Sequence, residues 1–184
     1  MLLKYFITIL SLFVLSSTFA HDTFLLPAKN HWQLDSEIEV RMASGLSFPE
    51  LTWAVSQDRI ASSLIALNGM PISSLEFQDN NEYLSISFKA IEQGNIIVAV
   101  STKTRSGDID NEDTEGYLEE IGAPLSAREA FRELPGKPKL QRSYVKHMKS
   151  FSCIESCLLD NNINSIPIGQ KLEFVTSTRS EEHT

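Results

Sequence analysis

All of the chain's imidazole and thiol groups sit on six residues: His21, His31, His147, His183, Cys153 and Cys157. His21 follows "SSTFA" directly, and a cut after Ala20 would give it a free α-amine beside its imidazole. Those two nitrogens chelate one metal ion in a way that suits Cu, Ni or Co, and Asp22 adds an oxygen. An α-amine titrating near pH 8, by its ordinary pKa of about 8, yields its proton readily to a competing metal. His147, in "YVKHMKS", is the next candidate ligand, and His31, in the loop-like "KNHWQ", is the weakest. The plainer alternative is that cleavage sites accept many residues at this position and His21 is incidental.

Cys153 and Cys157 are the only cysteines. In an oxidising compartment such a pair closes by default. Four positions along one extended strand hold the Cα atoms too far apart for a bridge, which needs about 4.4–6.8 Å. A disulfide therefore demands a turn or helical loop at "IES", residues 154–156. The alternative is a two-thiolate clamp for copper or nickel. The acidic run Asp108–Asp113, "DIDNED", lacks the glycine and the twelfth-position glutamate of a calcium loop and reads as solvated surface. No nucleophile elbow, phosphate-binding glycine loop or His-Glu-x-x-His motif is present, so the chain is not read as an enzyme. Copper oxidative chemistry at an N-terminal His is the one enzymatic alternative.

These ligands need a compartment and a scaffold. Lys4, the 11-residue apolar run Tyr5–Leu15, and Thr18 and Ala20 at the −3 and −1 positions have the three-part form of a secretory signal. A spanning helix needs about 20 apolar residues, so residues 1–20 read as a cleaved signal peptide and not an anchor. The expected product starts at His21, is periplasmic or secreted, and does not span the membrane. Without Lys4 it holds 15 basic residues (16 less 1) against 24 acidic ones, a poor balance for nucleic acid. Its 164 residues (184 less 20) suit one domain.

Most of residues 22–100 reads as strands. "EIEVRM" (Glu37–Met42) and "EYLSISFKA" (Glu82–Ala90) alternate as half-buried strands do, and "GNIIVAVSTK" (Gly94–Lys103) is a continuous β-branched run. "NGM" (Asn68–Met70) and "QDNN" (Gln78–Asn81) carry turn residues. This pattern predicts an immunoglobulin-like antiparallel β-sandwich over residues 21–178, with a partly helical insertion at about 105–140. Within the insertion "DTEGYLEEIG" could hold a short helix and "PLSAREAFREL" a better one, capped by Ser126 with Glu129 and ended by "PGKP". "IPIGQKLEFV" (Ile166–Val175) is expected as a last strand. The closing hexapeptide Arg179–Thr184, "RSEEHT", is what one frame of a common sequencing-library adapter encodes (AGATCGGAAGAGCACACG). It reads as non-native, which excludes His183 as a ligand and implies a C-terminally truncated domain.

The combination resembles an uncharacterised family of secreted bacterial proteins whose mature chains start His-Asp-x-Phe/Trp-Leu-x-Pro. The matching stretches are "AHDTFLLP" (Ala20–Pro27), "FPE" (Phe48–Glu50) with "QDRI" (Gln57–Ile60), "QGNIIVAVSTK" (Gln93–Lys103), "GYLEEIG" (Gly116–Gly122), "QRSYVKHMKS" (Gln141–Ser150) and "IPIGQKLEFV". Members carry the label of periplasmic components of cobalt or nickel uptake systems. The resemblance implies a metal-binding role for His21, a nickel or cobalt ion, and a membrane metal transporter as partner; copper stays open from the chelate chemistry alone. At His147 the family more often has an aromatic residue. Two alternatives stay open: a non-metal binding or structural module of the envelope, and a secreted copper enzyme.

N-terminal sequencing of the exported protein should read His21 first. A start one residue to either side would remove the amine–imidazole chelate.

Overall fold

The computed structural model describes residues 22–157 and 165–175. The signal-like segment, His21 and the "RSEEHT" tail lie outside the described residues. The fold is mostly β, an antiparallel sandwich of two five-stranded sheets. One sheet has the order β1 (Asp22–Pro27), β3 (Glu37–Gly45), β8 (Leu84–Lys89), β7 (Glu76–Asp79), with β4 (Trp53–Ala54) added to the end of β3. The other has the order β2 (His31–Trp32), β12 (His147–Ile154), β9 (Gly94–Thr102), β5 (Ile60–Leu67), β6 (Met70–Ile72).

Alternation builds the first sheet. In β3, Ile38, Val40 and Met42 are fully buried, while Glu39 and Arg41 pair with each other on the opposite face at 2.8 Å. In β8, Leu84, Ile86 and Phe88 face the same core and Ser85 donates to Glu39. These residues meet Ile65, Leu67, Ile96, Val98, Val100, Met148 and Ile154 from the second sheet, and the joint burial of both faces is what holds the sheets together.

The second sheet is built differently. Every residue of β9 is buried. Ile96, Val98 and Val100 enter the main core, whereas Ile97 joins Ala66, Phe151 and Ile168 in a smaller cluster on the outer face. The continuous apolar run is thus a strand buried on both sides. Its start needs Gly94: φ there is +141°, and a Cβ would fall 1.9 Å from the Asn68 side-chain oxygen. Asn68, itself left-handed at φ +51°, closes the turn between β5 and β6 and accepts from the Asn95 N–H at 3.0 Å.

Part of the cover on that outer face comes from residues expected as a strand. Ile166–Val175 is irregular instead. The Glu173 carboxylate accepts from the N–H groups of Ile168 (2.7 Å) and Gly169 (3.1 Å) and from Lys149 Nζ (2.6 Å). An extended chain would carry residue 173 roughly 16 Å from residue 168, so these bonds require the segment to curl back. Gln170 fastens it to the sheet, its amide nitrogen reaching the Val100 carbonyl at 3.1 Å and the Met148 carbonyl at 3.2 Å.

Residues 108–141 form a separate compact unit. It contains α1 (Thr114–Glu120) and α2 (Leu125–Arg132), joined by Glu115, which accepts from both Arg128 and Arg132. Ser126 does not cap α2 as expected. The helix starts two residues earlier, at Leu125, where the extended Pro124 (φ −62°, ψ 147°) offers its carbonyl to the Ala127 and Arg128 N–H groups. "QDNN" also divides, because Gln78 and Asp79 complete β7. Strands β10 (Arg105–Ile109) and β11 (Leu140–Tyr144) pair with each other at the chain's exit to and return from this unit. Among the described residues no helix is long and apolar enough to cross a membrane.

The Lys149 and Glu173 side chains are 3% and 8% exposed, so each charge depends on the other. Burial alone would raise the Glu173 pKa, but Lys149 and the two backbone N–H groups outweigh it and hold it below the usual carboxylate value. Glu173→Gln should cost about 3 kcal/mol by leaving Lys149 buried without its counter-charge. The depressed pKa gives a stabilising term that is full above the unfolded value and lost as pH falls through the folded one. Urea unfolding between pH 7 and pH 3 should therefore show wild type converging toward the variant in acid.

Candidate functional site

One corner of the sandwich gathers the sulfur chemistry. β2 is only two residues long and lies parallel to the end of β12, with His31 opposite Cys153 and Trp32 opposite Ile154. Cys153 N–H donates to the Asn30 carbonyl (3.0 Å) and Glu155 N–H to the Trp32 carbonyl (2.8 Å), which fixes the register. Trp32, 6% exposed, anchors the short strand in the main core, and Lys29 lies over its ring with Nζ 5.6 Å from the centroid.

The chain turns sharply after β12. Glu155 takes φ +60°, a left-handed conformation that costs a non-glycine residue on the order of 1 kcal/mol. Its carboxylate accepts from the Leu34 N–H at 2.7 Å, which ties the turn to the residues after β2. The reversal returns Cys157 to Cys153, their Cα atoms 5.3 Å apart, and the two sulfurs form a disulfide. This is the turn at residues 154–156 that the spacing demands.

His31 completes the group. Its Nδ1 lies 3.0 Å from Cys153 Sγ. A bridged sulfur has no proton, so the contact is a hydrogen bond only when Nδ1 carries one and donates. The donor atoms of His31, Cys153 and Cys157 all lie within 4.8 Å of one another. Cys153 is fully buried, while His31 and Cys157 are exposed. With the bridge reduced, two thiolates and an imidazole make a set that takes a soft or borderline transition metal and leaves room for a further ligand. With the bridge closed the thiolates do not exist, so disulfide and metal exclude each other.

The other sequence-derived candidates fall elsewhere. His147 opens β12 opposite Ser101, and its Nδ1 is 2.8 Å from Ser101 Oγ. It lines a cavity of about 490 Å³ on the outer face of the second sheet, with Ser101, Lys103, Val145, Ile168 and Gln170. Asp22 is exposed at the start of β1, opposite Gly45. The next residue, Thr23, accepts from Lys146 Nζ at 2.9 Å, so the start of β1 lies beside the residue that precedes His147. Neither Asp22 nor His147 belongs to the three-donor group, and His21 lies outside the described residues.

In the sequence His31 is the weakest of the candidate ligands, and Glu155 stands out only as the middle of the turn that the cysteine spacing requires. The parallel pairing that joins residues 31 and 153 leaves no periodic trace. The one available signal was a Trp directly after a His: a large apolar side chain in a nominal loop implies burial of that loop. No family model, curated protein or solved structure matches the chain.

Proposed function

We propose that the chain is a secreted, immunoglobulin-like metal-binding module of the bacterial envelope, an accessory to nickel or cobalt uptake. In this reading His31, Cys153 and Cys157 hold the ion while the cysteines are reduced. The observation that carries it is the convergence of three donor atoms within 4.8 Å from two strand ends far apart in sequence. The signal-like first 20 residues and the family resemblance support the compartment and the cargo. Three protein ligands with a further position open suit an ion that must be passed on, for instance to a membrane transporter, because an incoming ligand can bind before the old ones leave.

A second donor set is the one the sequence suggests; in the fold Thr23 meets Lys146, the residue before His147, while His147 itself lines the outer cavity. In that set His21, through its α-amine and imidazole, would act with Asp22 and His147.

Titration of reduced protein with Co(II) and Ni(II) under nitrogen separates these readings. One site should appear, with affinity rising from Co to Ni and falling in acid as protons compete for the donors. Cys157→Ser should weaken Co(II) and Ni(II) binding at least tenfold, about 1.4 kcal/mol. Oxidised wild type should bind no better than that variant. Loss on His21→Ala with no change in Cys157→Ser would instead assign the ion to the N-terminal set. Absence of binding in every form would leave a non-metal envelope module.

A further inference from the structure

Beyond metal binding, we infer that Cys153 and Cys157 form a thiol–disulfide exchange centre whose co-substrate is a thiol, attacked sulfur Cys157 and leaving sulfur Cys153. The two sulfurs differ in access. Cys157 is exposed, whereas Cys153 is fully buried against the sheet. A thiolate arriving from solvent therefore meets Cys157 first.

The two sulfurs also differ in support. His31 Nδ1 contacts Cys153, at 3.0 Å. When an incoming thiolate R–S⁻ bonds to Cys157 Sγ, the Cys153–Cys157 bond breaks and its electron pair stays on Cys153. His31 Nδ1, in the tautomer that carries a proton there, is already placed to donate to that new charge, and a better-stabilised leaving thiolate leaves faster. A second thiol then attacks the R sulfur of the mixed disulfide and releases Cys157. Two R–SH become R–S–S–R, and Cys153 and Cys157 gain the two hydrogens.

Chain geometry agrees with a bridge that opens. A loop of five residues, Cys153–Cys157, restrains the unfolded chain less than a longer loop would. The turn that carries it is held independently by the Glu155–Leu34 bond and by β2. Reduction thus leaves the scaffold of the centre in place.

The test uses the oxidised full chain with a chelator present, so that it does not depend on metal binding. Reduction by dithiothreitol should be at least tenfold slower in His31→Ala than in wild type, and the equilibrium with dithiothreitol should shift tenfold or more toward the disulfide, about 30 mV. His31→Asn, which keeps an N–H near the Nδ1 position, should recover part of both. The thermal midpoint of the oxidised variants should match wild type. Acid quench early in the reaction with 2-mercaptoethanol, followed by peptide mass analysis, should place the adduct on Cys157. Equal rates and equilibria in wild type and His31→Ala, or an adduct on Cys153, would overturn the assignment.

Discussion

A strand buried on both faces is the constraint from which the rest follows. β9 gives alternate side chains to the main core and to the outer cluster of Ala66, Ile97, Phe151 and Ile168. A sandwich sheet normally needs cover on one side only. Here the second side needs it too, and that need accounts for the curled segment 165–175, the Gln170 contacts with the sheet backbone and a nearly buried Lys149–Glu173 pair. It also shapes the cavity that holds His147, because the cover leaves a gap over Ser101.

The half of the fold set by local pattern was readable in advance. β3 and β8 alternate because one face is core and the other is wet, and each matches its expected run to within a few residues. Asn68 announced a turn because few other residues accept its left-handed backbone angle. Failures came where side chains displaced the backbone's default partners. Ile166–Val175 has strand composition, yet Glu173 captures the N–H groups that a ladder would have used. At α2, Ser126 and Glu129 spell a capping box, but the N-cap is Pro124, whose carbonyl takes the first helical N–H groups two residues before Ser126.

The candidate site divides the same way. That Cys153 and Cys157 required a turn followed from strand geometry alone, and Glu155 supplies it. That His31 would join them did not, since the pairing register of β2 with β12 is decided by Trp32 finding the core. An N-terminal histidine drew attention by its position in the chain. A histidine inside an unremarkable loop acquires its chemistry from a neighbour 122 positions away.

Parallel pairing of β2 with β12 also bears on the order of assembly. Chains are made from the N-terminus, and β2 exists long before the residues that complete it. Until β12 arrives, residues 31 and 32 lack the strand they pair with. The whole 108–141 unit is synthesised in that interval. β2 reaches the sheet through β12, its strand neighbour among the described residues, so it can dock only after β12 has been made. Closure of this edge is therefore a late, long-range event. The His31–Cys153 contact then serves as a marker that the sandwich is finished: sulfur reactivity tuned by imidazole is a property of the completed fold and of no fragment that precedes it.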